Sequence, residues 1–266
     1  MDETTPYTHL SESALIKTVS ETDREGVFEI ESLYTGYGVT IGNALRRVLL
    51  SSLPGAAITH VKIKGVSHEF GTIPGVVEDV VEITLNLKRI RFRMHTDQAQ
   101  TVTLRAKGEG PVTAAAIETN AQVDVITADL PIATVTEKGT ELEMELTIER
   151  GLGYVPAESR KGEKLAIGVI ALDAIFSPVV NVNFTVENMR VGDRTDYHRL
   201  RLVIGTDGSI TPSRALRDAS GILQEHFTKL AALEARESPP VVAVAPAPAK
   251  VKKSAAKPRR KKEAAS

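Results

Sequence analysis

The chain has 266 residues, 42% hydrophobic and 25% charged, with 19 Gly and 13 Pro. That composition excludes a fibrous or mainly disordered protein and leaves room for one or two cored domains. Cysteine is absent, which excludes disulfides, Cys-ligated zinc, iron–sulfur clusters and thiol catalysis, and fits a reducing compartment. Aromatics are only 4% and Trp is absent, so the core is built from Val, Ile, Leu and Ala and no aromatic wall is available for single-stranded nucleic acid. The six His show no HExxH and no paired spacing, so no metal site and no catalytic residue is expected.

The net charge of −1 conceals an asymmetry. Residues 239–266 carry eight Lys or Arg against Glu263, a local charge of +7, so the rest of the chain carries −8. An acidic body argues against DNA as its main ligand, because phosphate contacts need basic residues concentrated on one surface. The N-terminus, MDETTPYTHLSES, is polar and acidic, unlike a signal peptide, and no apolar run reaches the ~18 residues of a membrane span. The expected location is the cytoplasm, with no membrane partner.

Along the chain, Gly36-Tyr37-Gly38-Val39-Thr40-Ile41-Gly42 follows a strand and opens a helix. Its spacing is GxGxxxG, not the dinucleotide fingerprint GxGxxG, and no βαβ repeat follows, so the glycines read as a sharp strand-to-helix turn. The helix over 40–52, with Thr40 as its N-cap, carries an apolar stripe of Ile41, Leu45, Val48 and Leu49 at helical spacing. On the opposite side lie Asn43, Arg47 and Leu50, with Arg46 flanking. A large Leu beside Arg is the composition of an interface anchor; a solvated helix face is the alternative.

A second helix is expected over 76–87, with Val76, Val80, Ile83 and Leu87 on one stripe and Glu78, Asp79 and Glu82 at its start, where acids complement the helix dipole. Period-two alternation predicts strands over 88–94, 101–107, 140–149, 179–186 and 197–204. In the first of these Arg89, Arg91 and Arg93 share a face, and in the third Glu141, Glu143 and Glu145 do. The basic face has three readings: solvated, opposed to an acidic strand, or in contact with phosphate. After the turn Thr206-Asp207-Gly208, a third helix is expected over 212–236, with Thr211 as N-cap and Pro212 at the first helical position. Its stripe runs Leu216, Ala219, Leu223, Phe227 and Leu230, with His226 at the edge as an expected interface imidazole.

The first and third helices offer apolar ridges long enough to pair with a second copy, or to pack on the chain's own sheet. Residues 237–266 turn Pro/Ala/Val-rich and then basic, a composition that cannot bury enough apolar surface to order itself. In that tail Lys252, Lys253, Arg259, Arg260, Lys261 and Lys262 are candidates for weak, sequence-independent contact with nucleic acid; a solubilising tail is the alternative.

Several ordered motifs together resemble one known family. The run from Gly38 to Ser52 with Leu53-Pro54-Gly55 is similar to the signature of bacterial RNA polymerase alpha subunits. Downstream come Gly75-Val76-Val77-Glu78-Asp79 with Leu85-Asn86-Leu87-Lys88, and then Gly110-Pro111-Val112-Thr113-Ala114. Arg150 to Ala157, Ser177-Pro178-Val179 and Thr195-Asp196-Tyr197 complete the set. The resemblance covers about residues 8–236.

It implies an α+β fold: a sheet-rich dimerisation domain from 8–53 and 179–236 with two long packing helices, an inserted mainly-β domain over 54–178, and the basic tail at 237–266. The implied function is the noncatalytic scaffold of a nucleotidyltransferase complex, DNA-directed RNA polymerase, in a bacterial cytoplasm at the nucleoid rather than in a plastid. By resemblance, Ile41, Leu45, Val48, Leu49, Leu216, Leu223, Phe227 and Leu230 form the homodimer interface. Asn43, Arg46, Arg47 and Leu50 meet the beta subunit, and Lys88 meets beta-prime. No cofactor is expected in this chain, and magnesium belongs to the catalytic partners. The family's helical carboxy-terminal domain has no counterpart after Arg236, so DNA contact is expected to be indirect or weak, through the tail. The alternative class is a stand-alone basic-tailed nucleic-acid-binding protein.

Overall fold

The computed structural model describes residues 14–160 and 166–233. In chain order the elements are β1 (Leu15–Glu21), β2 (Glu25–Leu33), α1 (Tyr37–Ser51), β3 (Pro54–Ile63), α2 (Val80–Leu87), β4 (Phe92–Met94), β5 (Gln100–Lys107) and β6 (Gly110–Thr113). There follow β7 (Ile117–Glu118), β8 (Val123–Val125), β9 (Pro131–Val135), β10 (Glu141–Leu152), β11 (Tyr154–Val155), β12 (Val169–Ala171) and β13 (Ala174–Ile175). The last three are β14 (Val179–Val191), β15 (Arg194–Thr206) and α3 (Pro212–Ala231). The fold is α+β and sheet-rich, and the basic tail lies outside the described residues.

Two sheets hold two cores. The first is antiparallel, in the order β1-β2-β15-β14. Phe28, Ile30, Leu200, Leu202 and Ile204 point from it onto Leu45 and Leu49 of α1 and Ala215 and Ala219 of α3. The second runs β7-β5-β10-β3-β4-β8, with β12 added on β3. Its spine is β10, where Leu142, Met144, Leu146 and Ile148 are all buried. Met144 pairs with Ile63 on one side and with Leu104 on the other, so the alternation expected over 140–149 is the ladder that organises this core.

α3 begins at Pro212 behind the N-cap Thr211, as expected, whereas α1 and α2 begin elsewhere than the sequence alone indicates. α1 starts at Tyr37, not after Thr40; its N-cap is Gly36 with φ 88 and no side-chain cap, a left-handed conformation that glycine adopts without a Cβ penalty. Its innermost stripe is Gly38, Gly42, Leu45 and Leu49. A Cβ on Gly38 would lie 2.8 Å from Val186, and one on Gly42 would lie 2.7 Å from Phe184, so the glycine spacing sets how closely α1 approaches the sheet. α2 starts at Val80, not Val76, because the Asp79 side chain accepts the Glu82 N–H at 2.7 Å as N-cap. The Glu78 carboxylate instead accepts the Thr134 N–H at 2.6 Å and its hydroxyl at 2.9 Å, which docks this segment on β9.

The strand expected over 88–94 is only Phe92–Met94, since Lys88 still caps α2. Two of its arginines, Arg91 and Arg93, reach backbone carbonyls. Arg93 donates to Ser209 O at 2.9 Å and to Gly208 O at 3.2 Å. Arg91 donates to Ile175 O at 3.2 Å and lies 3.8 Å from the Asp207 carboxylate. The loop between β15 and α3 is thereby tied to the second sheet. Glu143 pairs with Lys64 and Arg105, and Glu145 with Lys62, across the β3 and β5 ladders.

The chain crosses between the sheets twice, and the crossings touch. A Cβ on Gly55, at the start of β3, would sit 1.8 Å from Phe176 O, closer than any relaxation of a flexible side chain can relieve. We predict that Gly55→Ala costs about 3 kcal/mol, read as a lower urea midpoint at unchanged slope. An unchanged midpoint contradicts the close crossing.

Candidate subunit-docking surfaces

The outward side of α1 presents what the sequence placed there. Asn43, Arg46, Arg47 and Leu50 are all exposed, Leu50 at 37%, while Leu45 and Leu49 one turn around are buried in the first core. Among the described residues neither Arg46 nor Arg47 has a carboxylate within 4 Å, although Arg199 and Arg201 of the sheet beneath both do. The inner stripe fixes the helix, so the outer side chains project from a rigid support.

Of the eight ridge residues, Leu45 and Leu49 are covered by their own sheet, and Ile41, Val48, Leu216 and Leu223 are half-buried between the two helices. Phe227 at 60% and Leu230 at 66% remain exposed, as does Leu233 at 79%. α3 is buried only at Pro212, Ala215 and Ala219. Its 20 residues extend ~30 Å at ~1.5 Å each, so the second half runs past the sheet with its apolar side bare. His226 is exposed on the same stretch. The N-terminus of α3 is anchored by Glu21, whose carboxylate accepts the Ser213 N–H at 2.9 Å, a favourable charge at the positive end of a helix dipole.

Lys88 sits at the C-terminal end of α2, half-buried, with its ammonium 2.9 Å from Asp173 Oδ2. Asp173 Oδ1 accepts the Ala157 N–H at 2.8 Å. That backbone donor first, and Lys88 second, hold the Asp173 carboxyl below the usual carboxylate range. Lys88 is thus aimed by a bridge to Asp173, 85 residues further on, which no local pattern signals.

A further cluster carries no sequence signal beyond its motif. The Arg194 guanidinium lies 5.1 Å from both the Tyr34 and Tyr197 ring centres and donates to both oxygens of Asp196 at 3.0 and 2.7 Å. Thr35 donates to Asp196 Oδ2 at 2.8 Å. Arg194 first, then Thr35, push the Asp196 carboxyl far below its ordinary range. The cluster pins the β14–β15 hairpin tip to the turn that enters α1.

A crevice of about 490 Å³ opens between the sheets, but its arginines are engaged: Arg93 with loop carbonyls, Arg150 with Asp97 at 2.7 Å and Arg214 with Asp218 at 3.7 Å. Among the described residues no group of three or more His, Asp or Glu is placed to hold a metal ion, and no helix is long and apolar enough to cross a membrane. The tail residues Lys252, Lys253, Arg259, Arg260, Lys261 and Lys262 lie outside the described residues.

Residues 61–177 match the family model of the RNA polymerase Rpb3/RpoA insert domain, which spans most of the second sheet. The chain is 51% identical over 218 residues to the DNA-directed RNA polymerase subunit alpha of Symbiobacterium thermophilum, an alignment covering 81% of this chain and 69% of that protein. It is 52% identical over 216 residues to the alpha subunit of Carboxydothermus hydrogenoformans, covering 81% and 69%. With the alpha subunit of Moorella thermoacetica it shares 51% over 222 residues, covering 84% and 71%. The chain belongs to the family of bacterial DNA-directed RNA polymerase alpha subunits.

Proposed function

We propose that this alpha subunit works as an assembly scaffold in the cytoplasm, two copies joining through α1 and α3 and then seating the large catalytic subunits. The observation that carries the reading is the division of α1 into two sides. Leu45 and Leu49 are buried in the chain's own core, while Asn43, Arg46, Arg47 and Leu50 are exposed, with no carboxylate beside either arginine among the described residues. On this reading 8–53 and 179–236 form the dimerisation domain and 54–178 the insert. Ile41, Val48, Leu216, Leu223, Phe227 and Leu230 face the second copy, around the shared cores that Leu45 and Leu49 complete.

The α1 outer side takes the beta subunit and Lys88 takes beta-prime. Arg47 desolvated beside Leu50 supplies a charge-assisted hydrogen bond from within an apolar contact, the usual make-up of an energetic centre in an interface. The Asp173 bridge keeps the Lys88 ammonium in one place, lowering the rotamer entropy that an interface would otherwise have to remove. Nucleotidyl transfer and its magnesium belong to the large partners; this chain supplies position and no catalytic group. The tail, with its +7 charge over 239–266, adds a salt-sensitive, sequence-independent attraction to DNA.

Co-expression of the tagged chain with its own large subunits tests the reading. Arg47→Ala leaves a folded dimer of unchanged melting temperature and lowers captured beta at least tenfold, about 1.4 kcal/mol or more; undiminished capture contradicts it. Deleting residues 239–266 weakens DNA binding by the assembled enzyme at low salt and not at high salt. Equal affinity at low salt removes the tail from the mechanism.

A further inference from the structure

Leu50, the last large apolar residue on the outer side of α1, is not isolated. Its carbonyl accepts the Ser177 hydroxyl at 3.1 Å, and a Cβ on Gly153 would lie 3.7 Å from Ser51 O. The end of β10 and the antiparallel β11–β13 pair therefore abut the C-terminal turn of α1. In that pair Tyr154 is opposite Ile175. Val155 and Phe176, the next residue on each strand, pack inward with Ala57 and Ala174, and the alternation of strand side chains turns Tyr154 and Ile175 outward. Tyr154 is 60% exposed, Leu152 56%, Ile175 41% and Leu50 37%.

These four belong to neither large core, yet their support is stiff. Phe176 lies against Gly151, where a Cβ would fall 2.6 Å from its ring, and the Arg160 guanidinium sits over that ring, 5.9 Å from its centre. Asp173, immediately before β13, is fixed by Lys88 and the Ala157 N–H. A stiff apolar group containing Tyr, continuous with exposed Arg46 and Arg47, has the composition of a buried interface centre edged by charge. Its complement is an apolar surface rimmed with carboxylates.

We infer that the docking surface for the beta subunit extends from α1 across the sheet junction, with Leu152, Tyr154 and Ile175 joining Leu50 as one apolar contact. The inference rests on the α1 docking reading and adds the second sheet to it. A partner that grips both sides of the junction reads the angle between the two sheets as well as the helix, so the ties of Arg91 to Asp207 and of Arg93 to Ser209, which cross to the first sheet's unit, become part of recognition.

The absence of cysteine allows a direct test. Tyr154→Cys and Leu50→Cys each give the chain one exposed thiol, and the rate of its alkylation by a small maleimide is read from the mass of this chain, free and in the complex with co-purified beta. In the complex the copy facing beta is covered, so about half of each variant's thiols react at least tenfold more slowly while the other half keep the free rate, and in the free chain the rates do not depend on concentration. Protection of Leu50→Cys with an unchanged rate at Tyr154→Cys overturns the extension and leaves α1 docking intact; no protection at either overturns both. Slowing of Tyr154→Cys with rising concentration of the chain alone assigns the surface to a second copy and overturns the inference. Ile175→Cys repeats the measurement on the facing strand should Tyr154→Cys lower the melting temperature.

Discussion

Uncovered apolar surface at the far end of α3 is the constraint on which the rest of the arrangement depends. The helix is held at its start by Pro212, Ala215 and Ala219 against the sheet and by the Glu21 carboxylate at its N-terminus. Beyond Leu223 the chain's own core no longer covers it, and Phe227, Leu230 and Leu233 are exposed. Each such side chain gains about 2 kcal/mol when buried, and most helical stability in proteins comes from a covered apolar side rather than from intrinsic propensity. On the proposed reading a second copy of the same ridge would supply that cover with no new sequence, and self-complementary pairing about a two-fold axis is the commonest way for soluble chains to associate.

In the proposed dimer α3 turns toward a second copy, which would leave the outer side of α1 for a different molecule. The two sides do not compete, because the inner one is occupied by the chain's own sheet, closely enough that Gly38 and Gly42 have no room for a Cβ. The hairpin clamp of Arg194, Tyr34, Tyr197 and Asp196 and the touching crossings at Gly55 and Phe176 restrain both ends of α1. Rigid presentation matters more for a scaffold than for a single binding partner: a template that holds two large subunits in register contributes only as much as its own geometry is fixed.

Much of this was legible in the residues, and the remainder was hidden for identifiable reasons. The 140–149 alternation translated directly into β10, since one side of each strand residue meets the core. β3 gave no such signal, because most of its residues are buried and a strand covered on both faces has no polar side to alternate with. The inner stripe of α1 begins with two glycines, which a search for large apolar residues does not register. The arginines of 88–94 do alternate as a strand would, but what they meet is a loop more than a hundred residues away, and loop carbonyls leave no pattern at the arginines themselves. Asn43, Arg47 and Leu50 were recognisable as a second helix side; Tyr154 and Ile175 were not, because their exposure follows from the pairing of β11 with β13, two strands distant in the chain.

Sedimentation equilibrium of the intact chain at micromolar concentration puts the central claim to the most direct test. The account predicts the mass of two chains, dissociating only where the fold itself melts. A stable, fully folded single chain at that concentration would contradict it, since the end of α3 would then persist with its apolar side open to water.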